Sequence, residues 1–394
     1  MKFFFLIFIF VLLSCKSEIE VQRLVSSLGG TARDSCTDRE SLTPFADGNG
    51  SLGDPYLICS ADQLNEIGST SAYWNQYFKL GRNIDLSTYT GNSFNKISGT
   101  NCATSSFTGE IDGDSFTISN LTYSQAGVAK AVLFPCINGT LKNVVFDNLN
   151  FIGGDDIGLI GQLGYDDNST TAHVSNVVIK NSSFTGNYKI AALSGISYEA
   201  NISNLQISNT TVTNATAGVT DGGLVVGYCN QETSVSNVSL GGTINHVDYV
   251  GGVFGQAGSN CHASNITGSV TINARSWVGG IIGINDAGKI TTANLSVNIT
   301  ATGNEVGGAI GGAWWCGSPT DFQVIRISGS VSGNNYVGGV IGSLDSGAGC
   351  DSNKVGSAAS IVVGSLGGGG VRRWCYRSSQ FGKYNLKFLC SGDN

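Results

Sequence analysis

The sequence is short of the residues that usually carry charge and metal chemistry. Charged residues are 12% of the 394, about half the common share of roughly 25%. Only four prolines, one methionine and three histidines occur. So little charge excludes a coiled coil, and glycine does not recur at every third position as collagen requires. No Cys-x-x-Cys spacing exists, and His173, His246 and His262 are isolated in sequence, which argues against zinc and thioredoxin-like chemistry. Disorder is disfavoured too, because 41% of the residues are hydrophobic. What is abundant is glycine, 56 residues, together with Ser, Thr, Asn, Val and Ile. That mixture reads as many short strands joined by tight turns. The formal charge of −7 argues against nucleic acid or an anionic membrane surface as a ligand.

An internal repeat dominates the chain. Val250-Gly-Gly-Val-Phe-Gly255 recurs from Val278, Val306 and Val337, at intervals of 28, 28 and 31 residues. Looser copies begin at Asp221 and Ile157, and a degenerate one at Ile190. A second signal runs in step: Asn176, Asn204, Asn237, Asn265 and Asn294 follow a Ser or Ala at intervals of 28, 33, 28 and 29 residues, with Asn120 and Asn143 upstream. A unit of about 28 residues with two or three strands cannot bury an apolar face alone, but stacked units can. Helical patterning is nearly absent, so the expected fold is all-β, a parallel β-helix solenoid. Its asparagines would stack into a hydrogen-bonded ladder. Its glycine pairs would permit close backbone packing. Ser60-Ala61-Asp62-Gln63 matches a capping box and predicts a short N-terminal capping helix through Ile67, with Leu64 and Ile67 buried.

Met1 and Lys2 precede an apolar run, Phe3 to Leu13, too short to span a bilayer but suited to a signal peptide. Leu12-Leu13-Ser14-Cys15 resembles the bacterial lipobox. The resemblance implies cleavage after Ser14 and a lipid on Cys15, which would be the membrane contact. An ordinary signal peptide or an uncleaved anchor is the alternative. Setting Cys15 aside leaves an even set of cysteines, which in an exported chain implies disulfides. Sequential pairing in a repeat structure gives Cys36–Cys59, Cys102–Cys136, Cys229–Cys261, Cys316–Cys350 and Cys375–Cys390. The segment layout expected is a signal over 1–14, a tether and irregular segment over 15–52, the β-helix over 53–370, and a disulfide-closed cap over 371–394.

Asp54-Pro-Tyr-Leu-Ile, Ala61-Asp-Gln-Leu, Asn83-Ile-Asp-Leu, Phe107-Thr-Gly, Ile111-Asp-Gly and Ile118-Ser-Asn-Leu, followed by Gly-Gly-x-x-Gly repeats, resemble bacterial surface proteins with GLUG-motif repeats. The resemblance covers about residues 53–345. It implies a right-handed parallel β-helix on an exported, adhesin-like protein of the bacterial envelope, at the outer membrane or cell surface. Some IgA-cleaving metallopeptidases carry such repeats beside a zinc domain with His-Glu-x-x-His. No histidine here is followed by Glu, so that site is missing.

Parallel β-helices also include enzymes acting on acidic polysaccharides, which need converging carboxylates or a metal. The carboxylate doublets Asp155-Asp156 and Asp166-Asp167 are candidate oxygen ligands for Ca²⁺, against solvated turn aspartates, which is the reading taken. No cofactor or metal site is expected, and no nucleophile–base pair stands out. A binding stripe is the better candidate. Tyr249, Trp277, Glu305 and Tyr336 each precede a Val-Gly-Gly. Stacked rungs would put them in one outward column able to dock a polysaccharide or protein partner. Trp314 and Trp315, read as a loop, would add to it. A non-enzymatic surface binding or adhesive module is the expected function. A lyase-type enzyme and a purely structural envelope protein are the alternatives.

Overall fold

The structure is a computed structural model and describes residues 36–165, 171–216, 218, 220–315, 322 and 324–344. Over this range the chain winds as an all-β parallel solenoid of about eight turns with almost no helix. Each full turn contributes to three sheets. The largest has 17 strands, many of them long, such as His262–Ala274 and Ala293–Ala301. A seven-stranded sheet stacks the Val-Gly segments, including Asp248–Gly251, Ser276–Gly279 and Val306–Gly307. An eight-stranded sheet completes the wall with Phe254–Ser259, Ile282–Asp286 and Ile310–Trp315.

The register is what the repeat length demands. Tyr123, Phe151, Phe184, Val212, Ile244, Ile272, Ile299 and Val331 pair in succession and form one inward column. All are buried. The column is aromatic towards the N-terminus and aliphatic further on, with the Phe151 and Phe184 rings edge-on at 5.5 Å. The glycine motif makes the corner between the two shorter sheets. A Cβ on Gly251, Gly279 or Gly307 would collide with the carbonyl oxygen of Phe254, Ile282 or Ile310. A larger residue there would force the corner open.

The asparagines expected in one ladder divide between two columns. Asn265, Asn237, Asn204, Asn176 and Asn143 each donate their side-chain amide to the side-chain Oδ1 of the residue one rung earlier, at 2.8–3.1 Å, ending on the Asp112 carboxylate. Asn120 belongs elsewhere: it donates to Asp85 at 3.0 Å and accepts from Asn148 at 2.8 Å. Asn294 is in neither ladder. Ile266 pairs with Ala293, a local repeat of 27, so Asn294 lies beside Thr267 and not above Asn265. Backbone conformation explains the residue type. Asn143, Asn176, Asn204, Asn237 and Asn265 have φ between 52° and 55°, the left-handed region that asparagine tolerates best after glycine.

Residues Ala61–Glu66 form the expected helix, with Ser60 accepting from the Gln63 N–H at 3.3 Å. Leu64 and Ile67 are buried. The box is not reciprocal, however. Gln63 Oε1 accepts from the Cys59 N–H at 2.6 Å, and its amide donates to the carbonyls of Arg39 and Leu42. Gln63 thus ties the helix to the segment before the first rung. Beside it, Ala46 and Asp47 pair antiparallel with Leu57, so the outer edge of the first strand is not left bare. Cys36–Cys59, Cys102–Cys136 and Cys229–Cys261 are bonded. The pairs expected at Cys316–Cys350 and Cys375–Cys390, the lipid site Cys15, the signal segment and the C-terminal cap lie outside the described residues.

The ladder yields a direct test. Asn204→Ala removes two side-chain hydrogen bonds and places at φ 53° a residue that tolerates the left-handed region less well than asparagine. It is expected to lower stability by about 1–3 kcal/mol in denaturant titration. Asn204→Gly restores the backbone freedom and should lose visibly less. Equal losses would contradict this account of the left-handed position.

Candidate binding face

The residues preceding Val250, Val278, Val306 and Val337 form a single column. Paired positions on either side place Asp156, Lys189, Asp221, Tyr249, Trp277, Glu305 and Tyr336 one above another along the seven-stranded sheet. Val250, Val278 and Val306 are buried, so alternation turns the preceding side chain outward. Tyr249, Trp277 and Glu305 are nevertheless half-buried, and only Tyr336 stands clear at 62% exposure. Tyr249 and Trp277 pack with ring centroids 5.0 Å apart, and Trp314 meets Trp277 edge-on at 6.4 Å. Trp314 is in the strand Ile310–Trp315, not in a loop, and is 41% exposed. The Trp315 side chain lies outside the described residues. Gly312 leaves space beside the column: a Cβ there would sit 3.3 Å from the Trp277 ring.

The backbone of this column is unusual. Asp156, Lys189, Tyr249, Trp277, Glu305 and Tyr336 all have φ between 53° and 62°. Asparagine fills the equivalent geometry in the ladders. Tyr and Trp in the left-handed region are true outliers, each costing on the order of 1–2 kcal/mol.

Electrostatically the face is rich in carboxyls desolvated by burial. Burial raises the carboxyls of Asp286 and Glu305, and lifts Asp221 to about 7 against the pull of Lys189 and Tyr188. Gln256 donates to Asp286 at 3.0 Å. The Lys189 ammonium lies 5.0 Å from the Tyr188 ring and 5.4 Å from the Tyr228 ring. Asp221 Oδ1, Trp277 Nε1 and Glu305 Oε2 are buried without a hydrogen-bond partner. A donor and two acceptors are therefore unfilled along one line.

Sequence reasoning missed Asp156, Lys189 and Asp221 as members of the column, because the upstream motif copies lack both the Val and the aromatic. Their position before Ile157, Ile190 and Gly222 was the available signal. The doublet Asp155-Asp156 is in the strand Asp155–Ile157, and burial raises Asp156, so Asp156 is no solvated turn aspartate. Asp166 and Asp167 lie outside the described residues. Asp112 fixes a turn, accepting from the Asp114 N–H at 2.9 Å. His246 is buried between the Thr220 hydroxyl and the Asp248 carbonyl, and burial lowers it to about 4. Asp221 and Glu305 are three rungs apart, about 14 Å by strand spacing. That exceeds the separation of paired glycosidase carboxyls, roughly 5–9.5 Å.

Asp221 makes stability depend on pH. Its folded value of about 7 lies above the ordinary aspartate value of 3.8, so the folded state holds the extra proton. Its contribution is therefore full in acid and lost as pH rises towards and through 7. The melting-temperature advantage of pH 5 over pH 8 should shrink in Asp221→Asn. An unchanged difference would contradict the burial of this carboxyl.

No family model matches the chain. Over 125 residues it is 36% identical to halomucin of Haloquadratum walsbyi (strain DSM 16790 / HBSQ001), a match spanning 31% of this chain and 1% of halomucin. A crystal structure of a "putative immunoglobulin A1 protease" from Bacteroides ovatus superposes with a TM-score of 0.51 at 22% identity, covering 66% of this chain and 80% of that one. At that identity the likeness to the crystal structure shows the fold alone, a parallel β-solenoid.

Proposed function

We propose that this solenoid is an extracellular or cell-surface module that binds an uncharged polysaccharide along the Lys189–Tyr336 column without cleaving it. The observation that carries the reading is the left-handed backbone at Tyr249, Trp277 and Tyr336. Strain of this kind persists where it serves a function. Packing accounts in part for Tyr249 and Trp277, which touch each other, but not for the exposed Tyr336. Aromatic faces in a line stack on sugar rings. Contact would come through the ring faces and the exposed Tyr336, since Trp277 Nε1, Asp221 Oδ1 and Glu305 Oε2 are covered. The carboxyls of Asp221, Asp286 and Glu305 disfavour a polyuronate or a sulfated chain. The lipobox-like Leu12-Leu13-Ser14-Cys15 supports export and attachment to the envelope through Cys15, and the GLUG-like repeats and the halomucin likeness fit a surface role.

The three-rung gap between Asp221 and Glu305 favours binding over hydrolysis. The test is a glycan array with the full chain, followed by variants. Tyr336→Asn should keep or raise the melting temperature, since asparagine suits φ 55°, while weakening binding. Tyr249→Ala with Trp277→Ala should weaken it at least about tenfold, roughly 1.4 kcal/mol. Binding confined to acidic glycans or to a protein partner, or release of new sugar ends, would overturn the proposal.

A further inference from the structure

Lys130 is a lysine in an uncommon position. Long cationic side chains usually keep the ammonium in water, yet Lys130 is buried. Its Nζ is surrounded by the Thr100 carbonyl at 3.1 Å, Cys102 Sγ at 3.1 Å, Cys136 Sγ at 3.5 Å and Gln162 Oε1 at 3.2 Å. All four are uncharged acceptors. Burial pushes the amine towards its neutral form, opposed by the charge of Asp156, whose own carboxyl burial pushes towards its neutral form. A neutral amine has a free electron pair and is a nucleophile.

Gln162 is held for attack. Its Nε2 donates to the Gly164 carbonyl at 3.1 Å while Oε1 faces Lys130. Gly161 leaves room for the lysine stem, since a Cβ there would lie 2.9 Å from Lys130 Cγ. The contact sets Nζ against the carboxamide through its oxygen, and attack requires the amine to shift from that oxygen onto the carbonyl carbon, to the approach distance of about 3–3.5 Å for reacting atoms.

We propose that Lys130 and Gln162 become joined by a side-chain amide. Lys130 Nζ attacks Gln162 Cδ, forming a C–N bond. The bond to Nε2 breaks, and Nε2 leaves as ammonia carrying a proton released by Nζ. Amine and carboxamide give a secondary amide and ammonia, with no oxidant or reductant. The link would brace segments 32 residues apart beside the Cys102–Cys136 disulfide, and it would survive reduction. It does not depend on the polysaccharide reading.

The test is peptide mapping of the full chain after reduction and alkylation. The expected result is a branched peptide joining Lys130 and Gln162, lighter by one ammonia than the sum of its two arms, with no tryptic cleavage after Lys130. Lys130→Arg and Gln162→Glu should each abolish the branched species. Recovery of linear Lys130 and Gln162 peptides from protein whose Cys102–Cys136 disulfide had formed before reduction would overturn the proposal. So would an ammonia loss at Gln162 that persists in Lys130→Arg. The wild-type map decides the matter even if a variant fails to fold.

Discussion

Every feature of this protein follows from parallel strands stacked in register, so that each residue's neighbour is its counterpart one turn away. The spacing between rungs is about 4.8 Å. At that distance chemistry is shared down a column. A buried position becomes a continuous apolar file, as from Tyr123 to Val331. A polar one becomes a chain of amides, as from Asn265 to Asp112. An outward one becomes a stripe. Neither a rung nor a column is stable alone, and hydrogen bonding along the rod supplies what a small core could not.

Two sets of columns share one backbone conformation and use it differently. In the ladders the left-handed position holds asparagine, whose side chain suits that conformation and bonds to the next rung. On the seven-stranded sheet the same conformation carries Tyr, Trp, Glu and Lys. These side chains gain little locally from the conformation and are desolvated by their neighbours, so Asp286 and Glu305 are pushed towards the neutral acid. Ladder residues hold the rod together, whereas the other column stores strain and covers polar atoms that have no hydrogen-bond partner.

The architecture was legible because a 28-residue period repeats two unlike signals, and a period survives substitution of any one residue. The inward alternation and the aromatic column could be read off the same spacing. The separation of Asn120 from the Asn143 ladder could not, because both are preceded by similar tripeptides and only the register distinguishes them. The displacement of Asn294 is a one-residue contraction hidden between repeats. Asp156, Lys189 and Asp221 were obscured by degenerate motif copies. The Lys130–Gln162 contact joins neighbouring turns at a degenerate copy of the repeat: Lys130 has the left-handed φ of 50° and donates its N–H to the Asp155 carbonyl, and Gln162 is in the strand Ile160–Leu163, but Lys130-Ala131-Val132-Leu133 keeps too little of the glycine motif to mark it.

The stacking itself can be measured with spin labels at Lys142 and Ser264, residues 122 apart in sequence but in one column through Ser175, Ser203 and Ser236. Four rung steps predict a narrow distance distribution near ~19 Å between backbones by strand spacing, plus the label arms. A broad distribution, or a mean several rungs longer, would contradict the solenoid and with it the aromatic face.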